Sequence, residues 1–115
     1  MTLPSLNMET STEQIGDVLE QARKASDLLK ALSHETRLLI LCLLSEGEKS
    51  VSELERIMTM PQAAVSQQLA RLRLDGLVIS RREGRMIYYD IASKEVGSII
   101  EQLYEMFCKP VRNPD

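Results

Sequence analysis

Apolar residues recur along this chain mostly at helical spacing, interrupted once by alternation. Ser11 with Gln14 forms a capping box, and behind it Ile15, Val18, Leu19, Ala22, Leu29 and Leu32 keep close to a helical period. Ser33 is placed to cap a second helix, HETRLLILCLLSEG, which is apolar on every side from Leu38 to Leu44 and stops at Gly47. A helix without a polar face belongs at the centre of a fold. Ser50 and Glu53 make another capping box and open a short third helix with Val51, Leu54, Ile57 and Met58 on one face. Pro61 starts a fourth, PQAAVSQQLARLRLDG, whose stripe is Ala64 or Val65, Leu69 and Leu72 and whose stop is Gly76. The period then changes. Val78 to Arg82 and Met86 to Ile91 are β-branched and aromatic with partial alternation, and Glu83-Gly84 between them is a hairpin turn signal. Ser93 caps a final helix, KEVGSIIEQLYEMFC, with Val96, Ile99, Ile100, Leu103 and Phe107 on one face, and Pro110 and Pro114 end the order.

The pattern predicts a mainly α domain with a β-hairpin wing: four helices, the hairpin and a last helix. Residues 1–10 read as a flexible N-terminal tail, 11–109 as a single winged helix-turn-helix domain, and 110–115 as a C-terminal tail. The 115 residues suffice to bury one core, and with no Trp and one Phe that core must be aliphatic. No basic stretch followed by an apolar run opens the chain and no segment is apolar enough to span a membrane, so the expected location is the cytoplasm. Cys42 and Cys108 then face a reducing compartment, where a permanent structural disulfide is disfavoured.

The net charge of −3 argues mildly against nucleic acid, but its distribution argues the other way. Residues 61–92 carry five Arg against three acids, whereas residues 1–60 carry six Lys and Arg against ten acids. The basic segment coincides with the fourth helix and the hairpin. A short helix, a tight turn and a second helix form a helix-turn-helix. The second of these offers Gln62, Ala63, Ser66, Gln67 and Gln68 near its start, side chains that suit base edges and a thymine methyl in the major groove. Arg71 and Arg73 follow on the same helix, and Arg81, Arg82 and Arg85 bracket the hairpin tip, in reach of phosphates or a minor groove. The expected partner is double-stranded operator DNA. An enzyme is not expected: there is no CxxC, no Ser-His-Asp order, one His and no phosphate-binding glycine loop.

The runs SHETRLLILCLL, SVSELERIM and AAVSQQLARLRLDGLVISRREGRMIYYDI resemble the ArsR (SmtB/ArsR) family of bacterial repressors from about Leu28 to Ile91. The resemblance implies a homodimer whose first and last helices form the interface, binding an inverted repeat. It places Ser66, Gln67 and Gln68 on the recognition helix, where the family usually has His at the position of Gln68, and Arg81, Arg82 and Arg85 on the wing. The family's metal signatures are missing. The helix before the recognition helix, SELERIM, has no Cys, and the last helix has Glu95, Glu101 and Glu105 but no His. Two thiols and an isolated His34, better placed as a capping or packing residue, do not build a closed zinc site within one chain, and no metal or other cofactor is expected. One Cys in RLLILCLL and one at the end of the last helix resemble the sulfide-responsive branch, the BigR/SqrR-type persulfide sensors. That resemblance implies that Cys42 and Cys108 react with a persulfide effector, become joined by a disulfide or longer polysulfide, and so release DNA upstream of genes for sulfide oxidation and detoxification. The residues by themselves leave open a repressor of the same fold that answers to a metal, haem or another small molecule, with both cysteines as small buried hydrophobes.

Overall fold

A computed structural model describes residues 11–112, so the two predicted tails at 1–10 and 113–115 lie outside the described residues. The chain divides into two compact units at Lys30–Ala31. Helix α1 (Thr12–Leu32) begins on its capping box: Gln14 N–H donates to Ser11 Oγ at 3.1 Å, and Ser11 N–H donates to Gln14 Oε1 at 2.9 Å. Helix α2 (Glu35–Leu44) starts one residue later than expected. Because α1 continues to a buried Leu32, Ser33 is used in the connection. The N-cap position falls to His34, whose extended backbone (φ −89°, ψ 120°) opens the helix without a side-chain cap.

The second unit is built around α2, which packs against α4, α5 and β3. Ile40, Leu41 and Leu44 of α2 meet Leu54 of α3 (Val51–Met58), Val65, Leu69 and Leu72 of α4 (Gln62–Leu74), and Ile100 of α5 (Lys94–Leu103) in a core with almost no solvent exposure. The core is aliphatic, as a chain nearly without large aromatics requires. The Ser50–Glu53 capping box forms, with both bonds at 3.0–3.1 Å, and Ser50 itself is buried. Helix α4 ends in a Schellman motif: Gly76, at φ 77°, donates to Arg73 O, and Leu77 N–H donates to Leu72 O at 2.9 Å.

The hairpin consists of β2 (Val78–Glu83) and β3 (Met86–Ile91), paired from Val78↔Ile91 to Glu83↔Met86. That register puts Gly84-Arg85 in the loop rather than Glu83-Gly84. Gly84 has φ 62° at the first loop position, while Arg85 keeps a negative φ, which is a type II′ turn and demands glycine first. A third strand joins them. β1 (Lys49–Ser50) pairs antiparallel with β3, giving the order β1-β3-β2. Two residues carry too little alternation to announce a strand.

The last helix departs most from expectation. Ser93 caps α5, with Val96 N–H donating to its Oγ at 3.2 Å, but Tyr104–Cys108 form a π turn in which Lys109 N–H reaches Tyr104 O. An α-helix advances about 100° per residue, so Phe107, seven positions on, would lie nearly over Ile100. The extra residue in the π turn delays the phase by one position. Cys108 therefore takes the inward place, and Phe107 is 65% exposed instead of on the inner face. Nor does Pro110 end the helix, which runs on as α6 (Lys109–Arg112). A proline in a helix lacks an N–H and crowds the carbonyl four residues back; the wider turn opens the ladder at the point where both problems arise.

Candidate functional site

Two groupings of the expected site residues emerge within the second unit. The first is the surface made by α3, α4 and the hairpin. Gln62, Ala63 and Gln67 are exposed on α4, while Ser66 and Gln68 are half-buried. Burying Val65, Leu69 and Leu72 turns the opposite side of α4 outward, so the helical period itself sets this display. Gln62 and Ser66 share a cavity of about 260 Å³ with Arg85 and Met86 of the hairpin, which brings the start of the recognition helix and the wing tip to one concave face. Arg82 and Arg85 are exposed there. Arg71 is exposed as well, with Asp75 at 3.6 Å.

Arg81 stands apart from the other wing arginines. Its Nε and one terminal nitrogen bind both oxygens of Glu48 at 2.8 and 2.6 Å, its other nitrogen binds Glu83 at 2.8 Å, and its guanidinium lies 4.6 Å from the centroid of the Tyr88 ring. The fork geometry is the strong form of a charge-assisted hydrogen bond. It pulls the Glu48 carboxyl below the usual carboxylate range and pushes the Arg81 guanidinium further up. Arg81 thus ties the base of the wing to the loop after α2. Sequence reasoning singled out neither Glu48 nor Arg37, whose Nε donates to Gln68 Oε1 at 3.1 Å from α2. Partners 31 and 33 positions apart leave no periodic signal.

The second grouping is the thiol pair. Cys42 is 4% exposed in the middle of the core helix, and Cys108 is half-buried at the end of the π turn; both are free. They are neighbours. Burial first, then the charge and the hydrogen bond of Cys108, push the Cys42 thiol up to about 12. The surroundings link this pair to the wing side of the molecule. Ser45 Oγ donates to Cys42 O at 2.5 Å, and Tyr104 OH donates to Glu46 Oε2 at 2.9 Å, two residues before Glu48. Among the described residues no group of three His, Cys, Asp or Glu side chains is arranged to hold a metal ion, and no helix is long and apolar enough to cross a membrane.

Comparison with known proteins adds three findings. The family described as "Bacterial regulatory protein, arsR family" matches residues 34–80, which span α2, α3, α4 and the start of the hairpin. Among named proteins, the chain is 43% identical to the Biofilm growth-associated repressor of Agrobacterium fabrum over 94 residues, covering 82% of this chain and 80% of that one. It is 44% identical to the Transcriptional activator HlyU of Vibrio cholerae over 90 residues, covering 78% and 83%. Among solved structures, reduced HlyU from the same organism superposes with a TM-score of 0.77 at 43% identity, over 80% of this chain and 97% of that one.

Proposed function

Since this chain belongs to the arsR family of bacterial regulatory proteins, and is a winged helix-turn-helix transcriptional regulator rather than an enzyme, we propose that it represses by binding operator DNA as a homodimer while Cys42 and Cys108 are reduced, and lets go when a persulfide links them. The observation that carries the reading is the thiol pair. Two cysteines 66 positions apart, on different helices, lie near enough to interact electrostatically, and the π turn that brings Cys108 inward is a local irregularity of the kind concentrated at functional sites.

The chemistry follows from their unequal settings. Cys42 is buried and held protonated, so Cys108, the more exposed thiol, attacks first. Its thiolate takes the outer sulfur of a persulfide RSSH, forming Cys108–S–SH and releasing RS⁻. Cys42, deprotonated as it attacks, then displaces HS⁻ from that species and closes the Cys42–Cys108 disulfide. Two thiols are oxidised and one persulfide is reduced to RSH and H₂S, so electrons and atoms balance. The bridge joins the core helix to the terminal helix.

DNA release follows if that joint shifts the dimer. Ile99, Met106, Phe107 and Val111 leave an apolar surface on the terminal helices, and Ile15, Leu19 and Leu29 do so on α1. These faces fit a partner protomer. A dimer must present two recognition helices about 34–36 Å apart to meet an inverted repeat, so a small change in helix placement lowers affinity. Gln62, Ala63, Ser66, Gln67 and Gln68 face the bases on this reading, with Arg71, Arg82 and Arg85 on the backbone and Arg81 orienting the wing. The promoters controlled are those of genes for sulfide oxidation and detoxification.

The test is fluorescence anisotropy on the protein's own upstream DNA at fixed salt, with intact mass recorded on the same samples. Reduced protein is expected to bind, and a persulfide donor to weaken binding several-fold as a Cys42–Cys108 bridge appears. The Cys42→Ser variant is expected to bind regardless of donor. Equal binding without a bridge rejects the thiol switch and leaves a regulator with another effector.

A further inference from the structure

The hydrogen bond between α2 and the recognition helix bears on which base is read. Gln68 is half-buried on the flank of α4, and its side-chain oxygen accepts from Arg37 Nε at 3.1 Å. Arg37 makes no ion pair among the described residues, so its charge is unneutralised there and its other guanidinium N–H groups remain available. An unattached Gln offers an acceptor and a donor together, which is why it pairs with the N6 and N7 of adenine. Gln68 does not present that pattern. The bond takes one lone pair of the Gln68 oxygen and turns that oxygen toward Arg37, so the amide edge facing away from Arg37 is its NH2 group, and Arg37 beside it also offers only N–H. A pair that only donates matches the edge that only accepts, and in the major groove that is guanine, with N7 and O6. Gln62 and Gln67, exposed on the same helix, have no such bond among the described residues and keep both functions.

We infer that Arg37 and Gln68 act as one unit that reads a guanine in each operator half-site, with Arg37 setting the orientation of Gln68. This rests on the DNA-binding reading above and adds a specificity determinant from outside the helix-turn-helix. Sequence alone put Gln68 among the readers, where a free Gln would favour adenine.

The experiment uses reduced full-length protein and its own upstream DNA, with each half-site position changed symmetrically, including guanine to adenine and guanine to 7-deazaguanine. In the wild type, one guanine per half-site is expected to matter by about tenfold for both replacements, within the range of a good bidentate contact. Arg37→Ala is expected to erase that preference and to raise the relative affinity for adenine there, because it frees the Gln68 oxygen. Gln68→Ala is expected to erase it without the gain for adenine, and the double variant to lose no more than either single one. Thermal melting of each variant checks that it is folded. If Arg37→Ala weakens every operator equally and lowers the salt slope by about one, Arg37 is a phosphate contact and the inference is overturned. Unchanged base preferences in both variants overturn it as well. If the wild type does not distinguish its own upstream DNA from an unrelated duplex, the DNA-binding reading fails first and takes this inference with it.

Discussion

Closing the Cys42–Cys108 bridge should stabilise the chain even as it releases DNA, and the size of the gain tests the thiol geometry. The two positions are 66 residues apart. A cross-link closing a loop of that size removes unfolded-state entropy equivalent to roughly 4 kcal/mol at 25 °C. In the fold the thiols already lie near enough to interact, with Cys42 only 4% exposed, so the bridge closes with little opening of the core. Part of the 4 kcal/mol is lost if the bridge holds the terminal helix in a strained position, and a coupling able to release DNA needs about 1–3 kcal/mol. The expected net gain is therefore about 1–3 kcal/mol, read from urea denaturation of reduced and bridged protein at one protein concentration. Reduced Cys42→Ser and Cys108→Ser variants exposed to the same donor should show no gain. A bridged chain no more stable than the reduced one would refute the reasoning, because the thiols would then meet only through local unfolding. A bridge found solely between protomers would refute it too.

Iodoacetamide at pH 8 should modify Cys108 well before Cys42, as peptide mapping would reveal, since burial and its neighbour push the Cys42 thiol up from 9.0 to about 12. Because that value is raised on folding, the stability contributed by the protonated Cys42 is intact below pH 9 and declines as pH rises toward 12; Cys42→Ser should lose this alkaline dependence in urea midpoints. Glu48→Gln should leave the urea midpoint essentially unchanged, as exposed ion pairs contribute little, yet weaken DNA binding several-fold by loosening Arg81 and the wing. The same contact, whose carboxyl is held below its usual range, persists above that range and is lost as pH falls through the lowered value. Tyr104→Phe removes the hydrogen bond to Glu46 but no thiol; bridge formation by mass should be unchanged while the drop in DNA affinity on oxidation shrinks.

Much of this was legible along the chain. Both capping boxes, Ser11–Gln14 and Ser50–Glu53, form with their expected bonds, because a cap is a contact between residues three apart and needs no tertiary help. Gly76 stops α4 and Gly84 turns the hairpin for the same local reason. The stripe Val65, Leu69 and Leu72 turns inward as its period requires. The register of the turn slipped by one residue, since Glu83-Gly84 and Gly84-Arg85 are both acceptable locally and only the pairing of Val78 with Ile91 chooses between them.

The sequence by itself determined the order of elements, the aliphatic core, the amide-rich helix beside an arginine-rich hairpin, and the two cysteines available for redox chemistry. These depend on periodicity, caps and turn residues, all of which act within a few positions. Tertiary structure alone decided three things that bear on the site. It shifted the phase of the last helix through the π turn, so that Cys108 rather than Phe107 faces inward to meet Cys42. It committed Arg81 to Glu48 and Glu83 instead of leaving it among the free wing arginines. It set Arg37 against Gln68. The physical reason is common to all three: Cys42 and Cys108, Arg81 and Glu48, and Arg37 and Gln68 are 31 to 66 residues apart, and a contact at that separation exists only once the helices between have packed.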